Sequence, residues 1–244
     1  MSQALSETEA YAWQVIQENY QKIPNLSISD IAQMAHVSIS TINRTVKKKG
    51  FGGYGEFKFS IKKDALPQVS GFSKEVLGAI AKNEEELLKT INNISSSQIE
   101  AAVKKIDESD EIILFARGLS VNAANEMMKK LQLWHKRVSL YDEDRTMKYF
   151  SRFVSKKTLV IAISLFGESR ALNESVILSK KNGATILVLS ASESSTLSQS
   201  ADIALIGYKS QVEVNYFDLD VHSRLPLYLL VRILFDSYSI YKNK

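Results

Sequence analysis

Residues 159–182 read LVIAISLFGESRALNESVILSKKN. Leu159 to Ile163 form an unbroken apolar run, Ser164 to Ser169 form a polar loop with a glycine, and a helical stretch follows over 169–182. A strand with no polar alternation is one covered on both faces, as parallel strands are. Similar short runs recur at Ile112–Phe115, Val138–Tyr141, Ile186–Leu189 and Ile203–Ile206. Helical stretches near 119–135 and 143–154 separate the first three. This alternation predicts an open α/β sheet. Leu225 to Tyr241 reads as a last, strongly apolar helix, packed on the sheet or on a partner.

The residues before 111 have a different texture. Leu5, Ala12, Val15, Ile16 and Tyr20 approximate a helical stripe that Pro24 closes. Ser27 with Asp30 three residues on resembles a capping box, opening a helix that turns Ile31, Ala32 and Ala35 inward. It stops at His36-Val37. Ser38 is placed to cap a further helix reaching about Lys48, with Gly50 as its terminator. Two more helical patterns occupy 72–107, and Pro67-Gln68-Val69-Ser70-Gly71 is the most turn-like segment before them. The expected domains are 1–66, a connecting region 67–110, and 111–244.

Composition narrows the chemistry. The 244 residues contain 45% hydrophobic and 24% charged side chains, ordinary for a globular chain. No cysteine is present, which excludes disulfides, thiol catalysis and cysteine-held metals. His36, His135 and His222 are far apart, so no metal and no cofactor is expected. The opening MSQALSETEAYAW lacks a signal-peptide profile, and no apolar run approaches a membrane span, so a cytoplasmic protein without membrane contact is expected. The net charge of +4 hides an asymmetry. Ser38–Lys63 holds seven bases (Arg44, Lys47, Lys48, Lys49, Lys58, Lys62, Lys63) against Glu56, and Asp64–Asp110 holds nine acids against five lysines. A short basic block beside an acidic one implies a polyanion-binding face, the alternative being a solvated lysine-rich helix end.

The basic block coincides with a helix-turn-helix pattern. Such a motif needs a small residue in its first helix, a tight turn, and apolar anchors under the second. Ala32 is the small residue, His36 stands at the turn where glycine is usual, and Val37 with Ile42 are the anchors. Histidine is among the types that tolerate positive φ. With Ile42 and Val46 inward, Ser38, Ser40, Thr41, Asn43, Arg44, Lys47 and Lys48 are the candidate DNA-binding residues. Arginine suits guanine edges, asparagine adenine, and hydroxyls and lysine the phosphates.

In open α/β sheets ligands bind beyond the carboxyl ends of the strands. Ala116-Arg117-Gly118-Leu119-Ser120 follows the first strand, Ser164 to Ser169 the third, and Ser190 to Thr196 the fourth. Hydroxyls and free N–H groups at helix starts suit a phosphate monoester. A serine there also serves as a plain helix cap.

Together the two halves resemble the RpiR (MurR/RpiR-type) transcription regulators. The amino-terminal likeness rests on Leu5-Ser6-Glu7-Thr8-Glu9, Leu26 to Ala32, Val37-Ser38, Thr41, Arg44, Gly50-Phe51 and Tyr54-Gly55-Glu56-Phe57-Lys58. The carboxy-terminal likeness, to the sugar isomerase (SIS) domain, rests on Phe115-Ala116-Arg117-Gly118, Lys136-Arg137-Val138, Ala162-Ile163-Ser164, Gly167-Glu168-Ser169, Lys180 to Thr185 and Ala201-Asp202-Ile203. The resemblance implies an all-α helix-turn-helix head joined to an α/β SIS domain with a five-stranded parallel sheet. It also implies a double-stranded DNA operator, a phosphorylated sugar effector, and a homodimer or homotetramer. Ser120, Ser164, Gly167, Glu168, Ser169 and Ser195 are then the candidate ligand residues. Phe166 departs from the family pattern, which has a second serine there, and Leu119 departs in the first loop. No catalytic residue is expected. For the rival reading, a phosphosugar isomerase, the available bases are Glu168, Glu213 and His222.

Overall fold

The computed structural model describes residues 5–58, 71–211 and 220–243. The chain divides into two compact units, Met1–Leu77 and Gly78–Lys244.

The first unit is helical: α1 (Glu7–Glu18), a 3-10 turn (Tyr20–Asn25), α2 (Ile28–Met34) and α3 (Ile39–Lys48), with residues 54–58 again helical. Its element ends follow from side-chain chemistry. Ser6 and Glu9 form a reciprocal capping box on α1, as Ser27 and Asp30 do on α2. At the end of α2 the His36 N–H donates to the Gln33 carbonyl and the Val37 N–H to the Ala32 carbonyl, the two bonds of a Schellman turn. The turn requires a left-handed residue, and His36 takes it with φ of 50°. Ala12, Ile16, Ile31, Ala32, Ile42, Val46 and Phe57 are buried together as the core of this unit. Tyr20, placed on the inward stripe by spacing, is instead exposed. Chain reversal into the 3-10 turn has already left the α1 face.

Helix α4 (Lys74–Asn93) runs across the boundary between the units, and α5 (Ser96–Glu108) follows in the second. Then β1 (Glu111–Ala116), α6 (Ser120–Leu133), β2 (Val138–Tyr141), α7 (Asp144–Phe150) and β3 (Thr158–Ser164) alternate. The chain continues through α8 (Arg170–Lys181), β4 (Thr185–Ser190), the one-turn α9 (Thr196–Gln199), β5 (Ile203–Ile206) and α10 (Leu225–Lys242). The five strands pair in parallel in the order β2-β1-β3-β4-β5. Ile113 is in register with Val160, Ile161 with Leu187, and Leu189 with Leu205.

Both faces of the sheet are covered, which explains the runs without alternation. Ile112, Leu114, Ile161, Ile163 and Leu189 pack against α5, α6 and α10. Ile113, Phe115, Val160, Ala162 and Val188 pack against Met147 of α7 and Leu172 and Val176 of α8. Each such fully buried aliphatic side chain contributes about 1.5–3 kcal/mol. Ile99, Ala102, Val103 and Ile106 of α5 belong to the sheet's own core, so α5 is part of the α/β unit. Helix α4 is bound to the segment after β5. Its Thr90 hydroxyl accepts the Tyr208 N–H at 2.9 Å. Glu85 accepts the Tyr208 and Ser210 hydroxyls, and Glu86 accepts the Ser210 N–H at 3.2 Å. The expected linker at Pro67 to Ser70 lies outside the described residues, as do Lys62, Lys63 and Glu213.

Candidate functional site

Helix α3 sorts the sequence candidates. Ser38 caps it, its hydroxyl accepting the Thr41 N–H at 3.1 Å while the side chain stays exposed. Ser40, Arg44 and Lys47 are exposed, and Asn43 is half-buried. Thr41, expected on the outer face, is buried with Thr45. Its hydroxyl lies 2.9 Å from that of Ser38, and its carbonyl accepts the Thr45 hydroxyl. Thr41 thus follows Ile42 and Val46 inward on the helical period. Asn43 is partly spoken for, its Oδ1 accepting the Tyr54 N–H at 3.0 Å.

The three consecutive lysines have three different surroundings. Lys48 Nζ donates to Glu9 Oε2 at 2.7 Å, and Glu9 is nearly buried. That bond and the Ser6 N–H hold the Glu9 carboxyl at about 2, far below its usual range. One carboxylate therefore caps α1 and anchors the end of α3. Lys49 Nζ lies 5.0 Å from the centre of the Trp13 ring. Lys47 projects from the exposed face. The basic block is thus part scaffold and part free surface.

In the strand order β2-β1-β3 successive strands are added to opposite sides of β1, which makes the gap between β1 and β3 the switch point, where ligands bind beyond the strand ends in open parallel sheets. The loops before α6 and α8 flank it. In the second loop the Gly167 N–H donates to Ser164 Oγ at 3.2 Å, which leaves the Ser164 proton available. Gly167 has φ of 70°, and its carbonyl accepts from Asn173 Nδ2 and the Leu197 N–H. Ser169 stands at the N-cap of α8 without making a side-chain cap bond. Arg117 Nη1 lies 3.5 Å from its Oγ, and Arg117 Nε pairs with Asp144 at 3.1 Å.

Two expected ligand residues are bonded within the protein. Glu168 accepts both the Thr196 N–H at 2.9 Å and its hydroxyl at 2.8 Å, and these bonds lower its pKa. It ties the β3 loop to α9. Ser195 is buried and caps α9, its Oγ accepting the Ser198 N–H at 3.2 Å. Ser120 is also buried, with Arg224 Nε reaching its Oγ at 3.4 Å.

Arg117 and Arg224 are polar residues that the sequence reading did not single out. Arg117 carried a local signal, a cation between a strand end and a helix start. Arg224 carried none, since its partner Ser120 is about a hundred residues away. Only 8% exposed, Arg224 pairs with Asp220 and donates to the His222 carbonyl. The guanidinium holds the Asp220 carboxyl down at about 2. The exposed Phe166 ring meets His222 edge-on, with centroids 5.0 Å apart, and Lys209 Nζ lies 5.3 Å from its centre. A cavity of about 510 Å3 opens elsewhere, beside β5 and residues 93–98. Glu193 is the charged side chain in its lining, which does not suit an anion. Among the described residues no group of three or more histidines and carboxylates is placed to hold a metal, and no helix is long and apolar enough to cross a membrane.

Comparison with known proteins agrees with this division. The profile of the helix-turn-helix domain of the rpiR family matches residues 1–68, and that of the SIS domain matches residues 105–211. The HTH-type transcriptional regulator HexR of Pseudomonas aeruginosa is 26% identical over 200 residues, 78% of this chain and 70% of that protein. The Vibrio vulnificus NanR protein complexed with ManNAc-6P has a similar fold, with a TM-score of 0.61 at 18% identity, covering 98% of this chain and 90% of that one. The sugar isomerase domain of an RpiR transcription factor from Sphaerobacter thermophilus gives 0.63 at 20% identity, over 72% of this chain and 93% of that one. With the family's helix-turn-helix domain at one end and a SIS domain at the other, the chain belongs to the RpiR family of transcription regulators.

Proposed function

We propose that the chain is a cytoplasmic, DNA-binding regulator of carbohydrate-metabolism genes, controlled by a phosphorylated sugar in the SIS domain. Ser38, Ser40, Asn43, Arg44 and Lys47 are the DNA-facing set. Ser164, Ser169 and Arg117, with the first N–H groups of α8, are the phosphate-facing set. The observation that carries the ligand reading is Ser169: an N-cap hydroxyl left without its cap bond, beside a guanidinium, at the switch point of the sheet. That a protein of the same fold was solved with ManNAc-6P supports the same ligand class. Glu168, one candidate base for an isomerase, is bound twice by Thr196, which favours a sensor over an enzyme.

The segment 207–210 offers a route for the signal. It is bonded to α4 through Tyr208 and Ser210, and Lys209 lies over Phe166 at the pocket. A ligand that displaces Phe166 would be felt at α4. It shifts a conformational balance only by its difference in affinity for the two states. Val76, Leu87, Leu88 and Ile91 are exposed apolar residues on α4, and they favour assembly as a homodimer or homotetramer. Two reading helices would then address half-sites about 34 Å apart or a multiple of it.

A thermal-shift screen of sugar phosphates beside their unphosphorylated parents tests the ligand reading, since a ligand that prefers the folded chain raises its melting temperature. At least one phosphorylated member is expected to do so while its parent does not. Phe166→Ser, which restores a hydroxyl and removes bulk, is expected to enlarge the shift. No shift in either protein would overturn the phosphosugar assignment.

A further inference from the structure

The two most exposed aromatic side chains among the described residues are Phe153 and Tyr149, at 65% and 53%. They are not scattered. Their ring centroids lie 4.9 Å apart, and Tyr149 also meets Phe150 edge-on. With Phe150, Ile113 and Glu111 they wall a groove of about 260 Å3 at the start of β1. Contiguous exposed rings around a groove mark a binding surface, whereas single exposed apolar residues do not.

The same stretch is strongly basic. Arg145 to Lys157 holds five cations (Arg145, Lys148, Arg152, Lys156, Lys157) and no acid, more than the +4 of the whole chain. All five are exposed, and among the described residues only Lys148 of the five has an ion pair, to Glu174 at 3.7 Å. Turns continue α7 as far as Phe153, since the Arg152 and Phe153 N–H groups donate to the Tyr149 and Phe150 carbonyls. Arg145, Lys148, Tyr149 and Arg152 therefore share one face, opposite the buried Met147. Bases in a last turn complement the helix dipole, but the dipole gives no reason for exposed rings beside them.

Cations that track phosphates, and aromatic rings on which bases stack, are the two parts of a single-strand nucleic-acid site. Glu111 in the groove accepts N–H donors, which bases carry and phosphates lack. A two-fold contact of this face with itself would set five cations against five, which disfavours self-association there. We propose that the α7 face of the SIS domain binds single-stranded nucleic acid, with bases on Tyr149 and Phe153 and phosphates on the flanking arginines and lysines. This surface shares no residue with the DNA-facing set on α3, so it stands whether or not the head reads duplex DNA.

Fluorescence anisotropy of the full-length chain with labelled oligo(dT), and with an abasic strand of equal length, tests the assignment. The parent is expected to bind oligo(dT) more tightly than the abasic strand. Tyr149→Ala is expected to weaken oligo(dT) binding about 5–150-fold, the range for one stacked base, and to leave abasic binding as it was. The same drop is expected in an Arg44→Ala background, which separates this face from the head. Arg152→Ala is expected to weaken both strands and to lower the salt slope by about 0.7. Since Tyr149 is exposed, an unchanged melting temperature is expected to show the fold kept. If the parent binds both strands equally, or Tyr149→Ala binds oligo(dT) like the parent, no base stacks there and the assignment fails. If Tyr149→Ala instead loses binding to phosphatidylserine vesicles, or changes the oligomeric state by light scattering, with oligo(dT) binding unaffected, the face serves a lipid surface or another copy and the assignment is overturned.

Discussion

Gly167→Ala is expected to destabilise the SIS domain by about 2–5 kcal/mol, combining the cost of a left-handed backbone for alanine with that of overpacking. At φ of 70° an alanine is strained whatever space surrounds it. Here there is no space. A Cβ at this position would lie 2.7 Å from the Ser195 Cβ and 3.2 Å from the Leu197 Cβ. Ser195 cannot yield cheaply, because it is buried and caps α9. Gly118→Ala is the internal control. It shares the positive φ, at 53°, but a Cβ there meets nothing within 4 Å. It is expected to cost only the backbone strain, about 1–2 kcal/mol. Denaturant unfolding of both variants checks the difference, and equal losses would contradict the packing account of the β3 loop. Because Glu168 links this loop to Thr196, Gly167→Ala is also expected to lose any ligand-induced rise in melting temperature.

Arg44→Ala is expected to lose about 1–3 kcal/mol of operator binding, roughly 5–150-fold in Kd, if its guanidinium reads a base edge. Arg44 is exposed on the outer face of α3 and has no salt bridge among the described residues. Binding to scrambled DNA should then change far less than binding to operator. Competition titrations on both duplexes measure this, and a uniform loss would make Arg44 a phosphate contact instead. Lys48 is a poor comparison despite its place in the same basic run. Removing it leaves Glu9 nearly buried and unpaired, so a loss of binding there would report damage to the head.

Much of this architecture was legible in residue patterns, for identifiable reasons. Ile112–Phe115 and Leu159–Ile163 announced strands because a sheet covered on both sides needs apolar residues at every position. Ser27 with Asp30, and Ser38, announced helix starts because capping chemistry is local. The switch point was not legible, since strand order depends on contacts between segments far apart in the chain. Thr41 was misplaced because a hydroxyl looks polar in sequence, whereas its bond to the Ser38 hydroxyl lets it sit inside. Ser195 and Glu168, candidate ligand groups, also hold the fold, which spacing alone does not announce. Their actual partners, Ser198 and Thr196, are set by the tight turn of α9. Arg224 escaped notice because the Ser120 contact that places it exists only in the folded chain.

The most direct test of a sensor governing a reader is the Kd of the full-length chain for its selected operator, measured with and without saturating phosphosugar. The account predicts a change within the usual range of allosteric coupling, about 5–150-fold, with the unphosphorylated parent sugar leaving Kd as it was. An identical Kd in the presence of a phosphosugar that demonstrably raises the melting temperature would contradict it.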